Sequence, residues 1–247
     1  MKKILSLILA IAMVLTFAVS MTACGQSKTL VMGTEAAFPP YEFVDDNGNI
    51  VGIDAEIAQA VADKLGMKLE IKSMDFDSLL SAVQSKSIDF ALAGMTVTDE
   101  RKLSVDFSDT YATGIQVIIV KEDSTIADVD GLEGKTIGVQ KGTTGDLYCT
   151  DDFGQENVKQ YDNGALAVAA LKNGQVDCVV IDNEPAKNFV AANTGLKILD
   201  TEYAVEDYAA AFSKENTELK DSFNKALQEM KDDGSLAKII AKYIPAE

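Results

Sequence analysis

The chain has no histidine and no tryptophan, four prolines and three cysteines among its 247 residues. Without histidine there is no His-ligated zinc site, no Ser-His-Asp triad and no Cys-His dyad. Basic residues are scarce as well: 22 Lys and Arg stand against 39 Asp and Glu, a formal charge of −17. Such an acidic surface repels phosphate backbones and anionic headgroups, so nucleic acid is not an expected partner. Its plain use is to keep the protein soluble. After residue 20 no run is apolar enough to span a bilayer.

The one long uncharged run, Ile4 to Ser20, follows Lys2 and Lys3 and precedes small residues and Cys24, the pattern of an export signal. A run of that length is close to a membrane span, so an uncleaved anchor is the alternative. Met21-Thr22-Ala23-Cys24 favours cleavage, because it resembles a bacterial lipobox with Met in place of the usual Leu. That implies a signal peptide over residues 1–23, a lipidated Cys24, and a lipidated linker over residues 24–28. The protein is then expected on the extracytoplasmic face of the cell membrane, at the cell surface or in the periplasm. Lipid chains contribute about 0.8 kcal/mol per buried methylene, enough to hold it there. Cys149 and Cys178 remain as an even pair in an oxidising compartment. A disulfide between them and two small buried thiols are both open.

From Lys28 onward, short apolar runs alternate with helical patterns, which predicts an α/β chain of repeated βα units on parallel-rich sheets. Leu30 to Gly33 and Lys68 to Lys72 read as strands. Between them Asp54 is expected to cap a helix carrying Ile57, Val61 and Leu65, stopped by Gly66. Tyr41 to Val44 and Ile50 to Gly52 flank the turn cluster Asp45-Asp46-Asn47-Gly48, a small hairpin. Two segments share one design: a helix, a basic turn, an aspartate and a buried strand, at Leu79 to Ala93 and again at Ala167 to Ile181. Asp89 matches Asp177, which points to two similar lobes. Ile115 to Val120 reads as a crossing to the second lobe and Ala209 to Phe212 as the return, before two helices starting near Asn216 and Ser235.

Of the 22 basic residues one is an arginine, Arg101. A lone guanidinium suits a task that needs a planar, bidentate donor, above all a carboxylate; the plain alternative is a surface ion pair with Asp99 or Glu100. Gly94-Met95-Thr96-Val97-Thr98-Asp99-Glu100-Arg101 follows a buried strand, where ligands of open α/β sheets bind. Gly142-Thr143-Thr144-Gly145 follows the strand Thr136 to Gln140, and a helix starting there points free amides and the Thr144 hydroxyl at an anion. Lys141 beside it is expected to matter little. Asp182 ends an apolar strand, where an ionised carboxylate needs a cationic partner; an ordinary helix cap is the alternative. Phe38 on the Pro-stiffened loop Phe38-Pro39-Pro40-Tyr41, together with Phe76, offers flat apolar surface. Donors for one carboxylate, an acid for an ammonium and rings for a side chain describe an α-amino acid.

The same residues fall in motifs that resemble the solute-binding family 3, the polar amino-acid binding proteins of bacterial ABC importers. They are Gly-Thr-Glu-Ala-Ala-Phe-Pro-Pro-Tyr at 33–41, Ala-Gly-Met-Thr-Val-Thr-Asp-Glu-Arg at 93–101, Val-Asp-Phe-Ser-Asp at 105–109, Gly-Thr-Thr at 142–144 and Val-Asp-Cys-Val-Val-Ile-Asp at 176–182. The resemblance implies a two-lobed, type II periplasmic-binding-protein-like fold with two crossing hinge strands. Lobe 1 is expected over residues 29–113 and 208–247, lobe 2 over 114–207. It implies that Arg101, Thr96 and Thr144 hold the ligand carboxylate, that the Gly94 carbonyl and Asp182 take its ammonium, that Phe38 and Phe76 sandwich its side chain, and that Glu35 meets the far end. Basic amino acids come first as ligands, then glutamine or cystine. The implied partner is a membrane permease, the implied state a monomer, and no catalytic residue, cofactor or metal is expected. A sensor module, or an enzyme similar to cyclohexadienyl dehydratases on the same fold, is the rival reading.

Overall fold

The computed structural model describes residues 28–245, so the export signal and Cys24 lie outside the described residues. The chain begins with β1 (Thr29–Thr34), a small meander of β2 (Ala37–Phe38), β3 (Glu42–Val44) and β4 (Ile50–Val51), then α1 (Ile53–Lys64) and β5 (Lys68–Ser73). Next come α2 (Leu79–Gln84), β6 (Phe90–Ala91), α3 (Asp99–Ser104), β7 (Asp106–Phe107) and the long β8 (Ala112–Lys121). A second series follows: β9 (Ile137–Gln140), α4 (Thr144–Phe153), β10 (Val158–Tyr161), α5 (Gly164–Lys172), β11 (Cys178–Asp182), α6 (Asn183–Ala192) and β12 (Leu196–Ile198). The chain closes with β13 (Ala204–Tyr208), β14 (Ala211–Phe212), α7 (Thr217–Asp232) and α8 (Ser235–Tyr243).

Two main sheets result. One runs β5-β1-β6-β14-β7, with β1 parallel to β5 and β6 and with β14 antiparallel to its neighbours. The other runs β10-β9-β11-β8-β12, with β13 also paired to β8. Here β9, β10 and β11 are parallel, as βα units require, and β8 is antiparallel to β11, β12 and β13.

The chain passes between the sheets on β8 and comes back on β13, which lie side by side from Ala112↔Tyr208 to Gln116↔Ala204. The expected return at Ala209 to Phe212 is therefore corrected: Ala211 and Phe212 already pair with β6 and β7 of the first sheet. The signal was weak because Ala204–Tyr208 carries Glu206 and Asp207 and exposes Val205.

The repeated design is real and has a physical basis. Asp89 accepts from the Val31 amide at 2.7 Å while its own amide donates to the Val31 carbonyl. Asp177 does the same with Thr136, its Oδ2 accepting at 2.8 Å and its amide donating to the Thr136 carbonyl. Each aspartate stands just before its own strand, β6 or β11, and pairs with an amide and a carbonyl beside it, on β1 or just before β9, that need partners. The first core packs α7 through Phe223, Leu227 and Met230 onto Phe90 and Phe212, with ring centroids 5.3 to 5.8 Å apart. Buried rings of this size contribute about 1.5–3 kcal/mol each.

Candidate functional site

The two sheets meet at a cavity, and all eight residues singled out in the sequence line it: Glu35, Phe38, Phe76, Gly94, Thr96, Arg101, Thr144 and Asp182. Glu35 follows β1, Phe38 lies on β2, Gly94 and Thr96 follow β6, and Asp182 ends β11. The carboxyl ends of strands from both sheets thus converge on one space. Thr143, part of the donor set expected at 142–145, lines it too, as do Glu42, Ala93 and Gln140, which were not foreseen as site residues.

Arg101 is 6% exposed and is not a surface ion pair; Asp99 pairs with Lys102 instead, at 3.1 Å. Thr98 caps α3 by accepting from the Arg101 amide at 3.1 Å, which fixes the helix start and with it the guanidinium. Nη1 donates to the Thr96 carbonyl at 2.8 Å, Nη2 to the Gly142 carbonyl at 3.0 Å, and the group lies 5.4 Å over the Phe76 ring. Two backbone carbonyls and a ring face preorganise the fork, leaving its remaining N–H groups for the cavity. Burial lowers the guanidinium pKa, and the charges of Glu206 and Asp182 oppose that shift.

The helix start at α4 behaves differently from expectation. Thr143 caps α4 by accepting from the Asp146 amide at 3.3 Å, and Asp146 in turn accepts from the Gly142 amide at 2.9 Å. The Gly142 amide is therefore committed to a carboxylate of its own helix and is not a free anion donor. Thr144 Oγ1 does face the site, 3.5 Å from Thr96 Oγ1.

Asp182 precedes α6 but makes no capping bond; its Oδ1 accepts from the Tyr208 hydroxyl on β13. Burial, and then repulsion from Glu206, push its pKa up to about 7. No cation bonds it among the described residues, so the ionised form lacks the partner that burial demands. Glu206 itself is buried on β13 and accepts from Thr96 Oγ1 and from Gln116 Nε2, both at 3.0 Å.

A second group of acids lies on the first-sheet side. Glu35 is 8% exposed, accepts from Gln140 Nε2 at 3.5 Å, and has its pKa pushed up to about 7 chiefly by burial. Glu42 and Asp54 are fully buried, and neither Glu42 oxygen meets a hydrogen-bond donor among the described residues. Burial and the neighbouring Asp54 hold the Glu42 carboxyl well above the usual range, so it stays protonated beside Asp54. Asp54 was expected to cap α1. It sits instead inside the first turn, where Oδ2 accepts from the Gly94 amide and the Tyr111 hydroxyl, each at 2.8 Å. The first of those bonds orients Gly94. Its φ of +52° disfavours any other residue, and a Cβ added there would stand 2.9 Å from Phe38 Cε1, so the position has no room for a side chain.

Cys149 and Cys178 are both buried and free in the structure, the second of the two possibilities left open by the sequence. Burial raises both thiols, Cys178 to about 12. Among the described residues there is no cluster of acids and thiols able to hold a metal ion, and no helix long and apolar enough to cross a membrane.

Residues 30–246 match the family model described as bacterial extracellular solute-binding proteins, family 3. The arginine-binding extracellular protein ArtP of Bacillus subtilis is 38% identical over 253 aligned positions, covering 98% of each chain. An ancestral arginine-binding protein bound to arginine superposes with a TM-score of 0.82 at 46% identity, covering 87% of this chain and 97% of that one. An ancestral arginine-binding protein bound to glutamine gives 0.84 at 45% identity, covering 88% and 98%. The α/β architecture is the two-lobed type II fold of periplasmic amino-acid-binding proteins, and by sequence, fold and the convergence of its motifs on one cavity the chain belongs to the bacterial extracellular solute-binding proteins, family 3.

Proposed function

We propose that this protein captures a basic L-amino acid, arginine before lysine or histidine, and delivers it to the permease of an ABC importer. One observation carries the reading: a single buried guanidinium shares the cavity with two buried carboxyl groups besides the protonated Glu42, namely Glu35 and Asp182, and neither has a cationic hydrogen-bond partner among the described residues. A ligand with one carboxylate and two cationic ends offsets that imbalance. Arg101, Thr96 and Thr144 would hold its carboxylate, Asp182 and the Gly94 carbonyl its ammonium, and Glu35 its far cation between Phe38 and Phe76. Charge-assisted bonds contribute about 1.5–3 kcal/mol each, and a few of them with ring contacts reach about −8 kcal/mol, a micromolar Kd.

Lobe 1 comprises residues 29–113 and 208–247 and lobe 2 residues 114–207 in this reading, with β8 and β13 as the hinge. Ligand contacts drawn from both lobes are complete only when the cleft closes, so binding shifts an open and closed equilibrium. Lipidation at Cys24 would keep a monomeric, loaded protein within reach of the permease. The reading assigns no catalysis, since the cavity groups are spent on holding the two ends of one solute. Glutamine is the second reading, favoured by the Gln140 amide beside a Glu35 carboxyl that holds its proton near neutral pH.

A thermal-shift panel of the twenty amino acids with cystine and ornithine tests the assignment, because a ligand stabilises by RT ln(1 + [L]/Kd). Arginine is expected to give the largest shift. A largest shift with glutamine or cystine would replace the ligand, and no shift with any of them would remove amino-acid capture.

A further inference from the structure

We propose that Lys141 and Asp77 form a clasp across the cleft, outside the ligand cavity, that sets how readily the lobes close and so scales affinity for every ligand. The inference rests on the cleft-closure reading above but not on which amino acid binds. Lys141 Nζ lies 2.7 Å from Asp77 Oδ2, and the pair joins the end of β9 in the second sheet to the turn Phe76–Ser78 that leads into α2 beside the first. Neither residue lines the cavity. The contact is wider than one ion pair: a Cβ on Gly142 would stand 2.9 Å from Asp77 Cβ, and Gly142 has φ of +76°. Glycine there lets the backbone of one lobe rest against the other. The Gly142 carbonyl then accepts from Arg101 Nη2 at 3.0 Å. Arg101 and Phe76, both of which line the cavity, are thus tied to the loop that Lys141 pins down.

Chemistry sets the size of the effect. The side chains are 55% and 30% exposed, so the pair is screened by water and salt. Asp77 raises the Lys141 pKa, and the charges of Asp162 and Asp75 add to that rise. Pairs of this kind change an equilibrium by about two- to fivefold. The expectation from sequence that Lys141 matters little did not include its contact with Asp77, because nothing in the order of residues brings position 77 to position 141.

The test is a charge-exchange cycle with L-arginine titrated calorimetrically, alongside small-angle scattering of the protein without added ligand. Lys141→Ala is expected to weaken arginine binding about two- to fivefold at about 20 mM salt, with the difference shrinking at about 500 mM, and to leave the rank order of amino acids unchanged. Asp77→Lys, which sets two lysines face to face, is expected to weaken binding further and to expand the unliganded molecule. Asp77→Lys with Lys141→Asp is expected to restore both affinity and dimensions. Independent single effects with no restoration in the exchange, or no dependence on salt, would overturn the clasp. Should the unaltered protein ignore arginine, the proposed ligand fails, and the scattering series alone upholds or overturns the clasp.

Discussion

Glu35→Gln separates a cationic ligand from a neutral one through pH. Burial holds the Glu35 carboxyl at about 7, against an ordinary value of 4.5. A guanidinium seated beside it favours the charged form and brings the pKa back toward 4.5. The complex then holds fewer protons than the free protein between those two values, so affinity rises with pH through that window and levels off above it. From about pH 5.5 to about pH 7.5 the gain is on the order of twentyfold, about 1.8 kcal/mol, and close to one proton leaves Glu35 on binding near pH ~6. Asp182, also held at about 7, adds a proton release of its own. That part is common to any α-amino acid, so arginine and glutamine titrated side by side isolate the Glu35 contribution. Calorimetry in buffers of different ionisation enthalpy counts the protons. In Glu35→Gln the arginine profile is expected to fall onto the glutamine profile. Parallel profiles in the unaltered protein, or a Glu35→Gln variant that keeps the arginine slope, would refute the pairing.

Arg101→Ala removes a fork held by two carbonyls and a ring; binding is expected to weaken at least tenfold by calorimetry, with Arg101→Lys recovering only part of it. Asp182→Asn is expected to abolish high affinity while stabilising the unliganded protein. The raised pKa of Asp182 means its folded-state contribution is most favourable at low pH and is lost as pH rises through about 7. The variant should therefore be more stable to unfolding than its parent at about pH 8, by up to about 4 kcal/mol, and about equally stable near pH ~4. Gly114→Ala would drive a Cβ into the Tyr208 hydroxyl, forcing that ring off Asp182. A loss of about 1–3 kcal/mol in denaturant unfolding and weaker ligand binding are expected.

Much of this architecture is legible in the order of residues, and the reason differs from part to part. Strands and helices whose apolar spacing is regular, such as Leu30 to Gly33 and the faces of α7 and α8, declare themselves because burial imposes the period. The paired aspartates Asp89 and Asp177 announce a repeated unit since each makes the equivalent pair of bonds in its own sheet, to Val31 and to Thr136. Arg101 stands out because it has no competitor of its kind. Glu42 and Glu206 escape notice in a chain with 39 acids, where nothing local marks either of them as buried. Asp54 misleads for a related reason: an acid at a helix start reads as a cap, yet its oxygens serve Gly94 and Tyr111 from distant segments. The Gly142 amide misleads because Asp146, four residues on, takes it first.

Recognition turns on a cationic side chain meeting buried acids, and titrating arginine against citrulline tests that most directly. Citrulline keeps the length and shape of arginine and replaces the guanidinium by a neutral urea. Arginine is expected to bind near micromolar at about pH 7.5, and citrulline at least tenfold more weakly. Equal affinity for the two, or tighter binding of citrulline, would contradict the claim.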